Sequence, residues 1–331
     1  MADRNGIRAR GVRPVAVIRA GAVIIVLGAL VVGVGVLQSR CSGTATLREP
    51  DPRATRPVLA GVLPGGAETL ANPVGLAWDG SRLYVCESDA GRIAVFDAAG
   101  RRTGTIRVPV ASGAATAYPA AICTSENRTI AVVDAAAQRV LVINADTMGE
   151  ARVVREIGGS AGVGQPTAVA SVGGRLYVAD ASDGTIKVFD DGDRPVSVLA
   201  QDLNPKLTFV TSMSASDGSL YVVDSNAGRV IEMDVDTGTF RAALETRFTL
   251  PRGVAVLTGG RIAVADAFGG RVAVFSGTRQ TGALDAGSVP GAPFRSIRAL
   301  AWDGQRGRLF VADAGSGRVA AIDVPRVWGI R

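Results

Sequence analysis

An all-β, six-bladed β-propeller, preceded by one N-terminal transmembrane helix, is the architecture this sequence predicts. Three observations carry that expectation. A 26-residue phrase, first met over residues 72–97, recurs six times, and its acidic position steps from Glu87 to Asp134, Asp180, Asp224, Asp266 and Asp313 at intervals of 47, 46, 44, 42 and 47 residues. A period in the forties with three short β-like runs per unit belongs to propeller blades. The first run of every unit alternates small residues: Gly75/Ala77, Ala121/Cys123, Ala168/Ala170, Ser212/Ser214, Gly253/Ala255 and Ala299/Ala301. Alternation puts each pair on one face of a strand, and only small side chains fit where blades converge on an axis. Ahead of the repeats, residues 20–37 are all Ala, Gly, Val, Ile or Leu.

In chain order, residues 1–19 form a basic N-terminus and residues 20–37 the apolar span. At about 1.5 Å per residue the span is roughly 27 Å long, close to the hydrocarbon core of a bilayer. Arg8, Arg10, Arg13 and Arg19 precede it. That bias places the N-terminus in the cytoplasm and the propeller outside, at the cell membrane. A cleaved signal peptide is the rival reading; the span is longer than a typical signal core of roughly 7–15 residues, and no A-x-A site comes after it. Cys41 sits in a poor lipobox, because Arg40 stands where a small residue belongs. Residues 38–56 carry two prolines and no periodicity, and read as a flexible tether. Residues 57–331 hold the propeller.

Each blade is expected to have three clear strands, over 75–78, 83–87 and 92–97 in blade one. A weaker outer strand comes next, as at 104–110, 152–157, 196–199 and 240–244. Blade six lacks chain for its outer strand, and residues 57–63 are expected to supply it. That pairing of the chain's two ends would remove the exposed edges of an open array.

Charge is unevenly placed. The net +6 falls within residues 1–56, which hold nine Arg and three acids, whereas the rest carries 27 basic and 27 acidic residues. A neutral propeller gives no basic face for nucleic acid, so no nucleic-acid partner is expected. The chain contains no histidine. That removes the commonest general base, the usual zinc ligand and every Ser-His or Cys-His nucleophile.

The phrases Leu176-Tyr177-Val178-Ala179-Asp180, Leu220-Tyr221-Val222-Val223-Asp224 and Leu309-Phe310-Val311-Ala312-Asp313, each leading to Gly-Arg-Val or Gly-Thr-Ile and an apolar strand, resemble the NHL repeat. The resemblance covers residues 57–331. It implies a broad set of roles: protein-interaction modules, extracytoplasmic sensor domains of bacterial receptor kinases, and six-bladed enzymes such as gluconolactonase-like hydrolases and peptide-amidating lyases.

The acidic ring of Glu87, Asp134, Asp180, Asp224, Asp266 and Asp313 is met five residues later by Arg92, Arg139, Arg229, Arg271 and Arg318, with Thr185 in blade three. An acid ending one strand is placed to cap the next turn and to face the Arg across the hairpin. A feature repeated in every blade is a structural anchor rather than a catalytic group. Chemistry would break the repeat. The residues flanking the start of each innermost strand are Asn72/Val74, Tyr118/Ala120, Gln165/Thr167, Phe209/Thr211, Leu250/Arg252 and Ser296/Arg298, none of them acidic. The resemblance to metal-dependent six-bladed hydrolases would place carboxylate ligands there, and calcium wants roughly six to eight oxygens including carboxylates. No catalytic residue, metal or cofactor is therefore expected. Arg252 and Arg298, on adjacent blades near Asn72, Gln165 and Tyr118, form a candidate anion grip.

Three further features have plain readings. Gly158-Gly159-Ser160-Ala161-Gly162 matches G-x-S-x-G but lacks a His partner, and reads as a loop between blades. Trp78 and Trp302 are expected to pack at the seam where the ring closes. Cys86 and Cys123 are expected as free thiols, since facing sheets stand about 10 Å apart and a disulfide needs Cα atoms within roughly 4.4–6.8 Å; a disulfide is the alternative.

The expected function is a membrane-anchored extracytoplasmic binding module without catalysis, its partner a protein or a small anionic ligand. The alternatives are a gluconolactonase-like or related propeller hydrolase, and a structural subunit of a cell-envelope assembly.

Overall fold

The computed structural model describes residues 46–325, except 52, 193, 217, 286 and 293. The expected basic N-terminus and span, residues 1–37, lie outside the described residues, and no helix among the described residues is long and apolar enough to cross a membrane.

Among the described residues six sheets account for the fold, antiparallel except for one short parallel strand in blade one. Blade one runs from its innermost strand, Pro73–Trp78, through Arg82–Glu87 and Arg92–Asp97 to the outer Arg102–Arg107. The other innermost strands are Pro119–Ser125, Pro166–Val172, Val210–Ser216, Pro251–Val256 and Ile297–Asp303. The middle strands are apolar on both faces because each sheet is sandwiched between its neighbours. Leu83, Tyr84, Val85 and Cys86 are all buried, as are their counterparts Leu309, Phe310, Val311 and Ala312. The core is a set of slabs between successive blades, one joining blades five and six through Val274, Leu284, Leu300 and Val311.

The outer strands differ in bounds from the expected ones. Blade one's begins at Arg102 and ends at Arg107 rather than spanning 104–110. It also gains a fifth, parallel partner, Gly149–Glu150, reached from blade two. This short strand covers an edge, and Arg107 pairs with Glu150 at 2.8 Å across it.

The ring closes as the sequence predicts. Val58–Leu63 pairs antiparallel with Arg318–Asp323, Val58 opposite Asp323 and Leu63 opposite Val319. A second seal lies in the segment expected as tether. Leu47 is 4 % exposed and belongs to the apolar cluster shared by blades one and six. Its N–H donates to the Ala99 carbonyl at 2.7 Å, and the Arg48 N–H donates to the Ala60 carbonyl at 3.1 Å. Beneath it the buried Arg308 holds Asp323 at 2.7 Å and donates to the Arg48 carbonyl. Burying an ion pair is favourable only when its remaining groups are also satisfied, and the docked segment supplies that carbonyl. A lone Leu without periodicity gives no sign of this role.

At the seam the tryptophans separate. Trp78 packs on Phe310 of blade six, ring centroids 5.4 Å apart. Trp302 turns the other way, and its indole N–H donates to Thr258 of blade five at 3.2 Å. They do not meet, because each leans on the blade beside it. Cys86 and Cys123 are both free thiols. Gly159–Ala161 is one 3₁₀ turn between blades two and three, and Ser160 has no helix behind it to make a nucleophile elbow.

Deleting residues 57–63 should unfasten blade six and expose its third strand. The expected result is a fall in melting temperature on the order of 10 °C or more, from the several kcal/mol of lost pairing and burial. Thermal unfolding monitored by circular dichroism checks this; an unchanged transition would refute the closure.

Candidate functional site

The acidic ring builds the channel mouth, by a route that differs from the expected one. Each carboxylate reaches back to the loop leading into its blade's innermost strand, rather than forward to its own turn. Glu87 accepts the Ala71 N–H, Asp134 that of Tyr118, and Asp180 those of Gly164 and Gln165. Asp224 accepts the N–H groups of Thr208 and Phe209, Asp266 those of Thr249 and Leu250, and Asp313 those of Arg295 and Ser296. The register explains the reach: each acid lies opposite the first residue of the innermost strand, as Pro73 faces Glu87 and Pro119 faces Asp134. Among the described residues, Asp180 alone caps its own turn as well, through Ser182.

The backbone reciprocates in all six blades. The residue after each acid donates its N–H to the carbonyl of the mouth residue: Ser88 to Asn72, Ala135 to Tyr118, Ala181 to Gln165, Ser225 to Phe209, Ala267 to Leu250 and Ala314 to Ser296. These loops have no ladder of their own, so the clamp supplies the partners that buried backbone groups require.

The expected Arg partners are present in four blades. Arg92, Arg139 and Arg229 hold Glu87, Asp134 and Asp224 at 2.8, 3.2 and 3.0 Å, and Arg271 stands 3.8 Å from Asp266. Blade three, with Thr185, recruits Lys187 from two residues along the strand, and it pairs with Asp180. Blade six departs from expectation. Arg318 donates to the carbonyls of Pro64 and Gly66 at 2.8 and 3.0 Å, because the loop after the closing strand passes over it.

Burial by itself would raise the carboxyls of Asp180, Glu87 and Asp224. At Asp180, hydrogen bonds from Lys187, Ser182 and Gly164 outweigh it and hold the group well below the usual carboxylate range. At Glu87, the bonds from Arg92 and the Ala71 N–H and the charge of Arg102 do the same, and at Asp224 those from Thr208, Phe209 and Arg229.

A second repeated feature aims side chains into the mouth. In every innermost strand the register slips between the first and third residues, leaving one bulged residue unpaired. The six bulged residues are Val74, Ala120, Thr167, Thr211, Arg252 and Arg298. A bulge bends its strand and re-aims its side chain, and all six line one cavity of about 320 Å³ at this end of the channel. Tyr118, Gln165 and Phe209 complete much of the wall. Asn72 stands beside the cavity instead. It sits at φ 56° and donates to Asp89 at 2.9 Å and to the Tyr118 hydroxyl at 3.4 Å, so it braces Tyr118.

Arg252 and Arg298 come together because Gly253 lets blades five and six approach. A Cβ on Gly253 would meet the Ala299 Cα at 3.0 Å and the Arg298 carbonyl at 3.1 Å. Among the described residues neither arginine has a carboxylate partner, and the buried Nε of each makes no hydrogen bond. Burial first, and then the neighbouring Arg298 charge, push the Arg252 guanidinium below its ordinary pKa. The Thr211 hydroxyl, on the same wall, is also buried without a partner. No acidic residue lines the cavity, and the described residues contain no group of three or more Cys, Asp or Glu able to hold a metal ion. Blade-by-blade alignment of the sequence sets the arginines side by side; the bulge that aims them and the glycine that joins them have no signature in strand periodicity.

No protein-family model matches this chain. No curated protein matches it either. Solved structures do. A structural genomics protein of unknown function from Bacteroides thetaiotaomicron superposes with a TM-score of 0.60 at 15% identity, covering 84% of this chain and 75% of that one. A streptogramin B lyase superposes with a TM-score of 0.56 at 11% identity, covering 78% of this chain and 95% of the lyase. At such identities the likeness shows the six-bladed propeller fold alone.

Replacing Asp180 by Ala should remove the acceptor of two loop N–H groups and leave Lys187 with its second ion-pair partner, Asp183, at 3.1 Å. Each buried donor left unsatisfied costs about 1–3 kcal/mol, so urea unfolding should show a loss of roughly 2–4 kcal/mol. The depressed carboxyls also give a pH dependence. Their contribution is complete above the unfolded carboxylate range near pH 4 and is lost as pH falls through the lower folded values. Stability should therefore drop below about pH 4, and less steeply in Asp180→Ala.

Proposed function

We propose that this chain is an NHL-like propeller held at a membrane through residues 20–37, its propeller outside the cytoplasm, and that the channel mouth binds a small anionic ligand without catalysis. One observation carries the reading: two guanidinium groups on adjacent blades, their buried Nε atoms lacking acceptors, line a cavity without a carboxylate. Two like charges drawn from water and left uncompensated are costly. An anion between them relieves the repulsion, and guanidinium groups suit carboxylate and phosphate through paired N–H donors. The pattern of the repeat supports this. Elsewhere on the blades the acids are committed to the loops, and the arginines at the bulges of blades five and six stand where the others carry Val, Ala or Thr.

A subunit of an envelope assembly is the second reading, favoured by one feature of the rim. Val154, Val196 and Phe240, on the outer strands of three consecutive blades, are 53, 50 and 49 % exposed. Co-purification in a fixed ratio would distinguish it.

The test of ligand binding is thermal unfolding of the full chain with acetate, sulfate and phosphate, and with calcium and then a chelator. A ligand present at about 100 times its dissociation constant stabilises by roughly 2.7 kcal/mol. At least one anion should raise the melting temperature, and the double variant Arg252→Ala/Arg298→Ala should lose that response. A rise with calcium, reversed by chelation, would return the hydrolase reading to the front.

A further inference from the structure

We infer that the mouth selects a small organic acid, a single carboxylate attached to an apolar body, over an inorganic oxyanion. The inference rests on the anion-binding reading above and narrows it. The cavity, at about 320 Å³, has the volume of a site for a small molecule. Its wall has two characters. Blades five and six present the guanidinium groups of Arg252 and Arg298, and blade four adds the Thr211 hydroxyl; all three hold a buried polar atom without a partner. Blades one and two present Val74, Ala120 and the ring of Tyr118, and blade four adds Phe209 beside Thr211, while Gln138, Gln165 and Thr167 contribute neutral polar groups.

The cationic donors are thus gathered on blades five and six, and the rest of the wall is neutral, much of it carbon. Phosphate or sulfate carries oxygen in every direction, and seated here it would press oxygens against Val74 and Ala120 with nothing to donate to them. An anionic oxygen removed from water without a donor is strongly disfavoured. A carboxylate has both oxygens at one end. They can accept from the guanidinium N–H groups of Arg252 and Arg298, while the remainder of the molecule displaces water from the apolar part of the wall. Excluding water lowers the local dielectric and so strengthens the ionic contact.

Calorimetric titration of the full chain with benzoate, acetate, inorganic phosphate and benzamide tests this. Benzoate should bind at least about tenfold more tightly than acetate or phosphate, the difference expected from burying a ring, and benzamide should not bind. Phe209→Ala should weaken benzoate by a clearly larger factor than acetate; Phe209 engages the blade through its backbone, so the loop clamp survives the change. Circular dichroism confirms the variant's fold. Phosphate or acetate binding as tightly as benzoate would overturn the inference while leaving the anion site standing. Binding of none of the anions, or of benzamide as well as benzoate, would overturn both.

Discussion

In every blade one buried carboxylate ties the end of the second strand to the loop that leads into the innermost strand. The N–H groups of that loop bind the carboxylate, and its carbonyl accepts the N–H of the residue after the acid. Neither group belongs to a sheet, and neither could be buried alone without a cost of about 1–3 kcal/mol per unsatisfied group. The reciprocal arrangement satisfies both and fixes where each innermost strand begins. Six repetitions bring six strand starts to one level around the channel. The bulge one residue further on then projects a side chain from the same height in every blade.

This division of labour explains why the mouth is cationic although the propeller is electrically neutral. Arg92, Arg139 and Arg229 are spent on the clamp acids, and Lys187 serves where blade three has Thr185. Arg252 and Arg298 stand at a different position, beyond the reach of those carboxylates. Gly253 makes their pairing possible, since a Cβ there would push against the backbone of blade six. Residues that obey the repeat hold the ring together, and those that break it face the cavity.

The period of the acids and the alternation of small residues make the blade count and the innermost strands legible, because both are direct consequences of packing wedges around an axis. Closure by residues 57–63 is legible for the same reason: one blade is a strand short and one strand lacks a blade. The direction of the carboxylates is not. A side chain at a strand end can reach forward or back, and only register decides. Nor can spacing disclose Arg318 turning to Pro64 and Gly66, the parting of Trp78 and Trp302, or Asn72 bracing Tyr118. Each depends on which blade leans on which, a long-range fact. At the mouth, Arg252, Arg298, Gln165 and Tyr118 line one cavity, and Phe209 and Thr211 join them through positions that the strand pattern already aligns.

The docking of Leu47 and Arg48 sets how the molecule answers to mechanical force. Leu47 bonds to Ala99, in the turn after the third strand of blade one, at the opposite end of the blade from Glu87 and the mouth. A pull on the chain ahead of Leu47 therefore enters the propeller at the end remote from Arg252 and Arg298. It meets the Leu47–Arg48 latch and the buried Arg308–Asp323 pair before it reaches Val58–Leu63, the strand whose loss would open the ring. The latch acts as strain relief, shielding the closing strand from tension applied ahead of Leu47.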